Sequence, residues 1–443
     1  MTDLFQLSAV AAAQKIRAGE LSAYALTRAC LDRIEALDGD IHAWAFLDAE
    51  RALAQAHEAD RQQAAGALGG PLHGVPVGIK DVIDTADQPT QFGSPIFAGR
   101  QPEEDAACVA ALRGAGALIL GKTVTTELAS LTPGTTRNPL DHGRTPGGSS
   151  SGSAAGVACG MMPLALGTQT AGSVIRPASF CGLFGFKPTL GFISRSGVLL
   201  QSHTLDTVGI FARSLQDLAL TADCLGAQDR SDEISYARAP SRLLAFLNEE
   251  TASGDSFAFW RTPAWAHAEA GTHAAFDELV RELGAACETI ELPKDCDNLI
   301  PYQHLVQSAE NAAWYGAIHD RHGDRLSPAM HDRLDAGKQV TARAYLEAET
   351  ARDVLYATMA PALHRYAAII CPAAPGPAPL GLQATGNPIF NAMWTYLGVP
   401  AVTLPLLEVD GMPVGVQLVG PRRGEARLLR AARQLMERLG AKV

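Results

Sequence analysis

Three short segments of this 443-residue chain carry side chains suited to nucleophilic chemistry. In GVPVGIKDVIDT, Lys80 closes an apolar run on which a solvated charge is out of place. Burial disfavours the ammonium form and lowers its pKa toward the range useful to a general base. The plainer alternative is a lysine snorkelling at a strand end. In TPGGSSSGSAAGVA, Ser149 and Ser150 follow two glycines and precede a helix-forming stretch. They suit turn or N-cap positions, and the same tract offers unpaired helix-terminal N–H donors. In LGTQTAGSVIRPASFCGLFGFKP, Ser173 follows Thr170-Ala171-Gly172 on a loop whose successive backbone N–H groups could converge on an oxyanion.

Two pattern matches are set aside. Gly116-Ala-Leu-Ile-Leu-Gly121-Lys122-Thr123 fits the phosphate-loop spacing, but a four-residue apolar run stands where the cradle needs a loop. Gly148-Ser149-Ser150-Ser151-Gly152 fits the nucleophile elbow centred on Ser150, yet RTPGG rather than a strand precedes it. HExxH and SxxK are both absent, which removes the main sequence support for a zinc peptidase or a β-lactamase.

The elements that must hold these segments are legible in the texture of the chain. Residues 5–65 read as Ala-rich amphipathic helices, a helical flank spanning about 1–65. From Pro71 the runs VPVGI and ALIL, separated by the helical stretch DAACVAALRGAG, alternate strand and helix as in an α/β fold with parallel strand pairs. Residues 70–225 form the expected catalytic core, its Gly/Ser-rich tract broken by SAAGVACGMM and PLAL, insets that a disordered linker lacks. Residues 260–360 read as a helical insertion, and 367–443 return to strands in PAVTLPLLEV and VGVQLVG. The expected fold is one α/β domain whose sheet draws on both ends of the chain.

Composition narrows the partners. A net charge of −11 speaks against nucleic acid, whose binding rests on Lys and Arg neutralising phosphates. Eight scattered cysteines without zinc-like spacing read as buried small hydrophobes in a reducing compartment. No apolar run is long enough to span a membrane, and the acidic N-terminus is unlike a signal peptide. A cytoplasmic protein is expected.

In order and spacing the three segments resemble the amidase signature, and the resemblance runs on to FNAMWTYLGVPAVTLPLLEVDGMPVGVQLVG. Within that family the chain is most similar to malonamidase-like enzymes and to small-amide or aryl-acylamide hydrolases. The resemblance implies a central twisted mixed β-sheet flanked by helices on both faces. It implies that Ser173 attacks the carbonyl carbon, that Ser149 relays the proton and that neutral Lys80 receives it, by way of an acyl-enzyme. Backbone N–H groups of Thr170, Ala171, Gly172 and Ser173 would form the oxyanion hole, the Gly148–Ser149 peptide would be cis, and no metal or organic cofactor would be needed. Gln169 stands where many members have Asp, which changes local charge and hydrogen-bond polarity. Arg176 matches an arginine that holds a substrate carboxylate in malonamidase-like relatives; a structural role is its alternative. Ser150, Gln169 and Trp394 complete the expected substrate-binding set, and Trp314, Tyr315 and Phe390 either line an apolar pocket or pack as core. The implied activity is hydrolysis of small amides, aryl acylamides or carbamates, in a monomer or a homodimer. Its alternative is the amidase subunit of a glutamyl-tRNA amidotransferase, passing ammonia to partner subunits.

Overall fold

The apolar runs bounded by Gly and Pro form the strands, and the runs with helical periodicity pack against them. The computed structural model describes residues 3–249 and 256–441, so residues 1–2 of the flank and 442–443 of the C-terminal return lie outside it. In chain order the strands are β1 (Trp44–Leu47), β2 (Pro76–Lys80), β3 (Leu118–Thr123), β4 (Leu164–Gln169), β5 (Phe184–Lys187) and β6 (Thr207–Ala212). They continue with β7 (Phe257–Trp260), β8 (Cys287–Ile290), β9 (Ile369–Pro372), β10 (Ala401–Val409) and β11 (Met412–Val419). All eleven join one mixed sheet in the order β1-β3-β2-β4-β6-β5-β10-β11-β9-β7-β8. β2 runs parallel to β3 and β4, while β5 pairs antiparallel with β10 and so joins the two ends of the chain. The result is a single α/β domain with helices flanking the sheet.

Two expectations need correction. The N-terminal flank is not wholly helical, because WAFL forms β1 and pairs antiparallel with β3 at the sheet edge. Nor is the insertion purely helical: β7 and β8 pair in parallel at the opposite edge, before the long helices Leu299–His322, Pro328–Lys338 and Ala342–Arg365 begin. Four-residue strands are too short to show a period of two clearly, and only pairing reveals them. The eight cysteines are free, and all but Cys224 are buried. Among the described residues no helix is long and apolar enough to cross a membrane.

Sheet topology sets the position of the site. β2 and β4 lie side by side and point the same way, with Ile79 opposite Leu166. Their C-terminal ends therefore present Lys80 and the segment after Gln169 at the same edge, the place where ligands collect in sheets with parallel strands.

Candidate active site

Lys80 is the last residue of β2 and is fully buried. Its Nζ donates to Ser149 Oγ at 2.7 Å and to Thr168 Oγ1 at 2.8 Å. Burial lowers its pKa from the ordinary lysine value to about 7; Asp206 opposes the shift and Arg176 adds to it. Half of the side chain's population is thus neutral near pH 7, and neutral amine is the form that can accept a proton.

Ser149 is buried and follows a cis peptide bond from Gly148. The next residue, Ser150, occupies the N-cap position of the helix Ser151–Ala158, yet its side chain caps nothing. Its Oγ instead donates to the Thr168 carbonyl and accepts from the Thr168 N–H, both at 3.3 Å. Fully buried and pinned to β4, Ser150 ties the double-serine segment to the strand beside Lys80. No strand precedes it, so the elbow geometry is absent.

Ser173 lies on the loop between β4 and the helix Ile175–Phe180, and it lines a cavity of about 220 Å³. Gln169 organises that loop. Its Oε1 accepts from the N–H groups of Val174 and Ile175 at 2.9 and 3.0 Å, and its Nε2 donates to Thr395 Oγ1 at 3.0 Å. Thr395 in turn donates to the Ala171 carbonyl at 2.8 Å, and Gln303 donates to the Thr170 carbonyl at 3.1 Å. Thr170 Oγ1 donates to Asp206 at 2.5 Å. With the carbonyls of Thr170 and Ala171 held from behind, the loop is fixed through its oxygens. The N–H groups of Ala171, Gly172 and Ser173 meet no acceptor among the described residues. At Gly172 a side chain would run into Asn391, into Pro388 Cβ at 2.9 Å and into Arg176 Nη1 at 3.0 Å, so only glycine fits.

Arg176 is buried in the following helix. Its Nε donates to the Thr385 carbonyl at 2.8 Å, and its Nη2 to the Gly148 carbonyl at 2.6 Å and to Thr385 Oγ1 at 3.2 Å. Nη1 has no partner, and desolvation pushes the guanidinium down to about 9. The cavity is lined by Ser173, Thr170, Ala171 and Arg176 together with Gln201, Gln307, His304 and Arg333, and no Asp or Glu is among its walls.

The fold and this geometry agree with comparison to known proteins. A family model described as Amidase matches residues 25–429. The chain belongs to the amidase family. It is therefore an enzyme acting on carbon–nitrogen bonds other than peptide bonds. As an amidase it is similar to a glutamyl-tRNA(Gln) amidotransferase subunit of Salinispora arenicola (strain CNS-205), 35% identical over 99% of each chain. Two solved structures cover almost all of it at 29% identity. One is a chain of a vestigial protein complex bearing on the origins of an s-triazine catabolic enzyme, with a TM-score of 0.91 over 98% of this chain and 99% of that one. The other is the peptide amidase of Stenotrophomonas maltophilia, with a TM-score of 0.86 over 99% of this chain and 98% of that one.

Other expected residues of this amidase fall elsewhere. Trp394 and Phe390 are fully buried, with Trp394 edge-on against Trp260. Tyr315 is buried and donates to the Leu128 carbonyl at 3.0 Å, and Trp314 is exposed and stacked on His203. None of the four lines the cavity beside Ser173. The Lys122 of the phosphate-loop pattern is buried in β3, donating to the Ile83 carbonyl at 2.7 Å and to Thr90 Oγ1 at 2.5 Å. Sequence reasoning missed Thr168, Thr395, Gln303 and Arg333, whose neighbours in space are remote in the chain. Asp206 was within reach, because it abuts the apolar run TVGIFA as Lys80 abuts its own.

Proposed function

We propose that this amidase-family enzyme hydrolyses a small amide bearing a carboxylate, with Ser173 as nucleophile, Ser149 as proton relay and Lys80 as base. The observation that carries the proposal is the cavity itself. Arg176 is buried with Nη1 unpaired, no carboxylate stands within ion-pair distance among the described residues, and no Asp or Glu lines the walls. A buried guanidinium without an acid is costly, and a substrate carboxylate supplies the missing acceptor.

The chemistry follows from the distances. Neutral Lys80 lets Ser149 turn its hydroxyl proton toward Nζ, across the 2.7 Å contact. Ser149 then takes the proton of Ser173 as the Ser173 Oγ–carbon bond forms. Negative charge gathers on the carbonyl oxygen, where the free N–H groups of Ala171, Gly172 and Ser173, with Thr170 beside them, would receive it. The proton returns from Lys80 through Ser149 to the nitrogen, the C–N bond breaks, and water releases the acyl group from Ser173 by the reverse path. A carbamate presents the same carbonyl beside nitrogen and is admissible.

A second reading, the amidase subunit of a glutamyl-tRNA amidotransferase, is favoured by the curated relatives, which bear the name of that amidotransferase at 33–35% identity over nearly their full length. Both readings seat a carboxylate-bearing amide in one cavity and differ in the fate of the ammonia. The test uses the chain purified alone. A fluorophosphonate should label Ser173, and malonamate or succinamate should release ammonia steadily, with Arg176→Ala raising KM for these acids and sparing a neutral anilide. Labelled protein that releases ammonia only with amidotransferase partner subunits present would establish the second reading. Labelling at another serine would overturn both.

A further inference from the structure

We infer that Asp206 is a positioning residue of this reaction, holding the oxyanion loop through Thr170 and serving as the counter-charge for Lys80 when that residue takes up the proton. The inference rests on the function proposed above and deepens its mechanism.

Strand register brings the groups together. β4 and β6 pair antiparallel, with Thr168 opposite Val208 and Gln169 opposite Thr207, so Asp206 comes next, beside Thr170. Alternate residues of a strand share a face, and so do residues opposite each other in an antiparallel pair. Thr168 and Thr170 therefore point the same way, toward Lys80 and Asp206. Lys80 Nζ donates to Thr168 Oγ1 at 2.8 Å, and Thr170 Oγ1 donates to Asp206 at 2.5 Å.

The Asp206 carboxylate is buried, and both of its oxygens accept. Oδ1 takes the Thr170 hydroxyl, and Oδ2 takes the N–H groups of Gln201 and Ser202 at 2.6 and 3.1 Å. Three donors favour the ionised form; burial works against them and raises the pKa to about 6. Arg195 donates to the Asp206 carbonyl at 3.4 Å but pairs its charge with Asp232 at 3.0 Å. Asp81, next to Lys80 in the chain, faces Lys122 at 3.9 Å instead. Gln169 is neutral, which leaves Asp206 as the acid whose charge acts on Lys80 among the described residues.

When the proton passes from Ser149 to Lys80 Nζ, a neutral amine becomes an ammonium in a desolvated site. The Asp206 anion stabilises that charge, and Arg176 opposes it. The titratable neighbours on other elements do not replace Asp206. Burial and Arg333 lower the His304 pKa, and burial raises the Tyr315 hydroxyl well above its usual range, so both are neutral where Lys80 titrates. His203 stacks on the exposed Trp314 and lies 3.6 Å from Glu233, and Glu310 accepts from the Ser202 hydroxyl and the Thr204 N–H.

The test is the pH dependence of fluorophosphonate labelling at Ser173 and of ammonia release from succinamate, in variants checked for folding by circular dichroism. In Asp206→Asn the ammonium loses its counter-charge, so Lys80 becomes neutral at lower pH. The midpoint of both profiles should move from about 7 to about 6, a shift of about one unit. The rise between pH 6 and 8 then shrinks from about tenfold to about twofold, and the limiting rate falls about tenfold because a weaker base assists less. Thr170→Val keeps the carboxylate but lets it hold its proton to a higher pH, and should move the midpoint in the same direction by a smaller step. Asp232→Asn loosens the same turn through Arg195 without removing the charge, so it should lower the melting temperature and leave the midpoint at about 7. A midpoint that stays at about 7 in folded Asp206→Asn overturns the inference, as does one that stays there in Thr170→Val should Asp206→Asn not fold. Labelling and ammonia release that continue with an unmoved midpoint leave the proposed function standing; their absence in the wild type removes both.

Discussion

Replacing Lys80 by alanine tests the proposed chemistry at its base. The side chain is fully buried, contacts Ser149 and Thr168 at 2.7 and 2.8 Å, and has its pKa lowered to about 7. A nitrophenyl ester releases a stable phenolate, so for it Lys80 serves only as base. An amide also needs its nitrogen protonated, so the same residue serves twice. One act of general acid or base assistance is worth about 10²–10⁴-fold. Lys80→Ala should therefore slow an amide by a further factor of about 100 or more beyond its effect on an ester with the same acyl group. Lys80→Met, which fills most of the volume, should behave alike and separates chemistry from a packing defect. The pH dependence has a definite sign. Activity requires the neutral amine, so the rate falls as pH drops through about 7. Between pH 6 and 8 the neutral fraction climbs from about 9% to about 91%, so kcat should rise about tenfold and then level off. A lysine at its ordinary value of about 10.4 would give a rise near 100-fold over that interval and no plateau. Stopped-assay rates on matched ester and amide substrates, measured across this range, make the comparison. Equal losses on the pair in folded protein, or a wild-type rate still climbing tenfold per pH unit above 8, would refute the assignment.

Two further substitutions probe the loop that carries Ser173. Gly172→Ala places a methyl group against Asn391, Pro388 and Arg176, and it should lower kcat on ester and amide alike by about 100-fold or more, the cost of losing an oxyanion donor's aim. Thr395→Val removes the acceptor of Gln169 and the donor to the Ala171 carbonyl; a shift of the urea midpoint should report about 1–3 kcal/mol of lost stability, with kcat falling more than KM rises.

Much of the fold was legible in local sequence. VPVGI, ALIL and PLAL became β2, β3 and β4 because a short apolar run bounded by Gly and Pro can bury both faces only in a sheet interior. Lys80 was conspicuous because a charge at the end of such a run must be either desolvated or displaced, and here it is desolvated. The Gly-Gly-Ser-Ser and Gly-Ser-x-Ile-Arg-Pro segments likewise announced their chemistry through local residue type and spacing.

What the sequence determined by itself was therefore the α/β class, the family and the candidates for the reacting groups, all of which depend on residues close together in the chain. Tertiary structure decided which side chains face the cavity. Trp394, expected at a pocket, is core, because an apolar helix face cannot tell a cavity from a packed neighbour until the neighbour is in place. Ser150 turned inward to β4, and Gln169 is linked to the Ala171 carbonyl through Thr395, a residue 226 positions away. Arg333 reached the site from the insertion for the same reason. Hydrogen bonds and ion pairs act over about 3–4 Å of space, and only the folded chain converts separations of hundreds of residues into that distance.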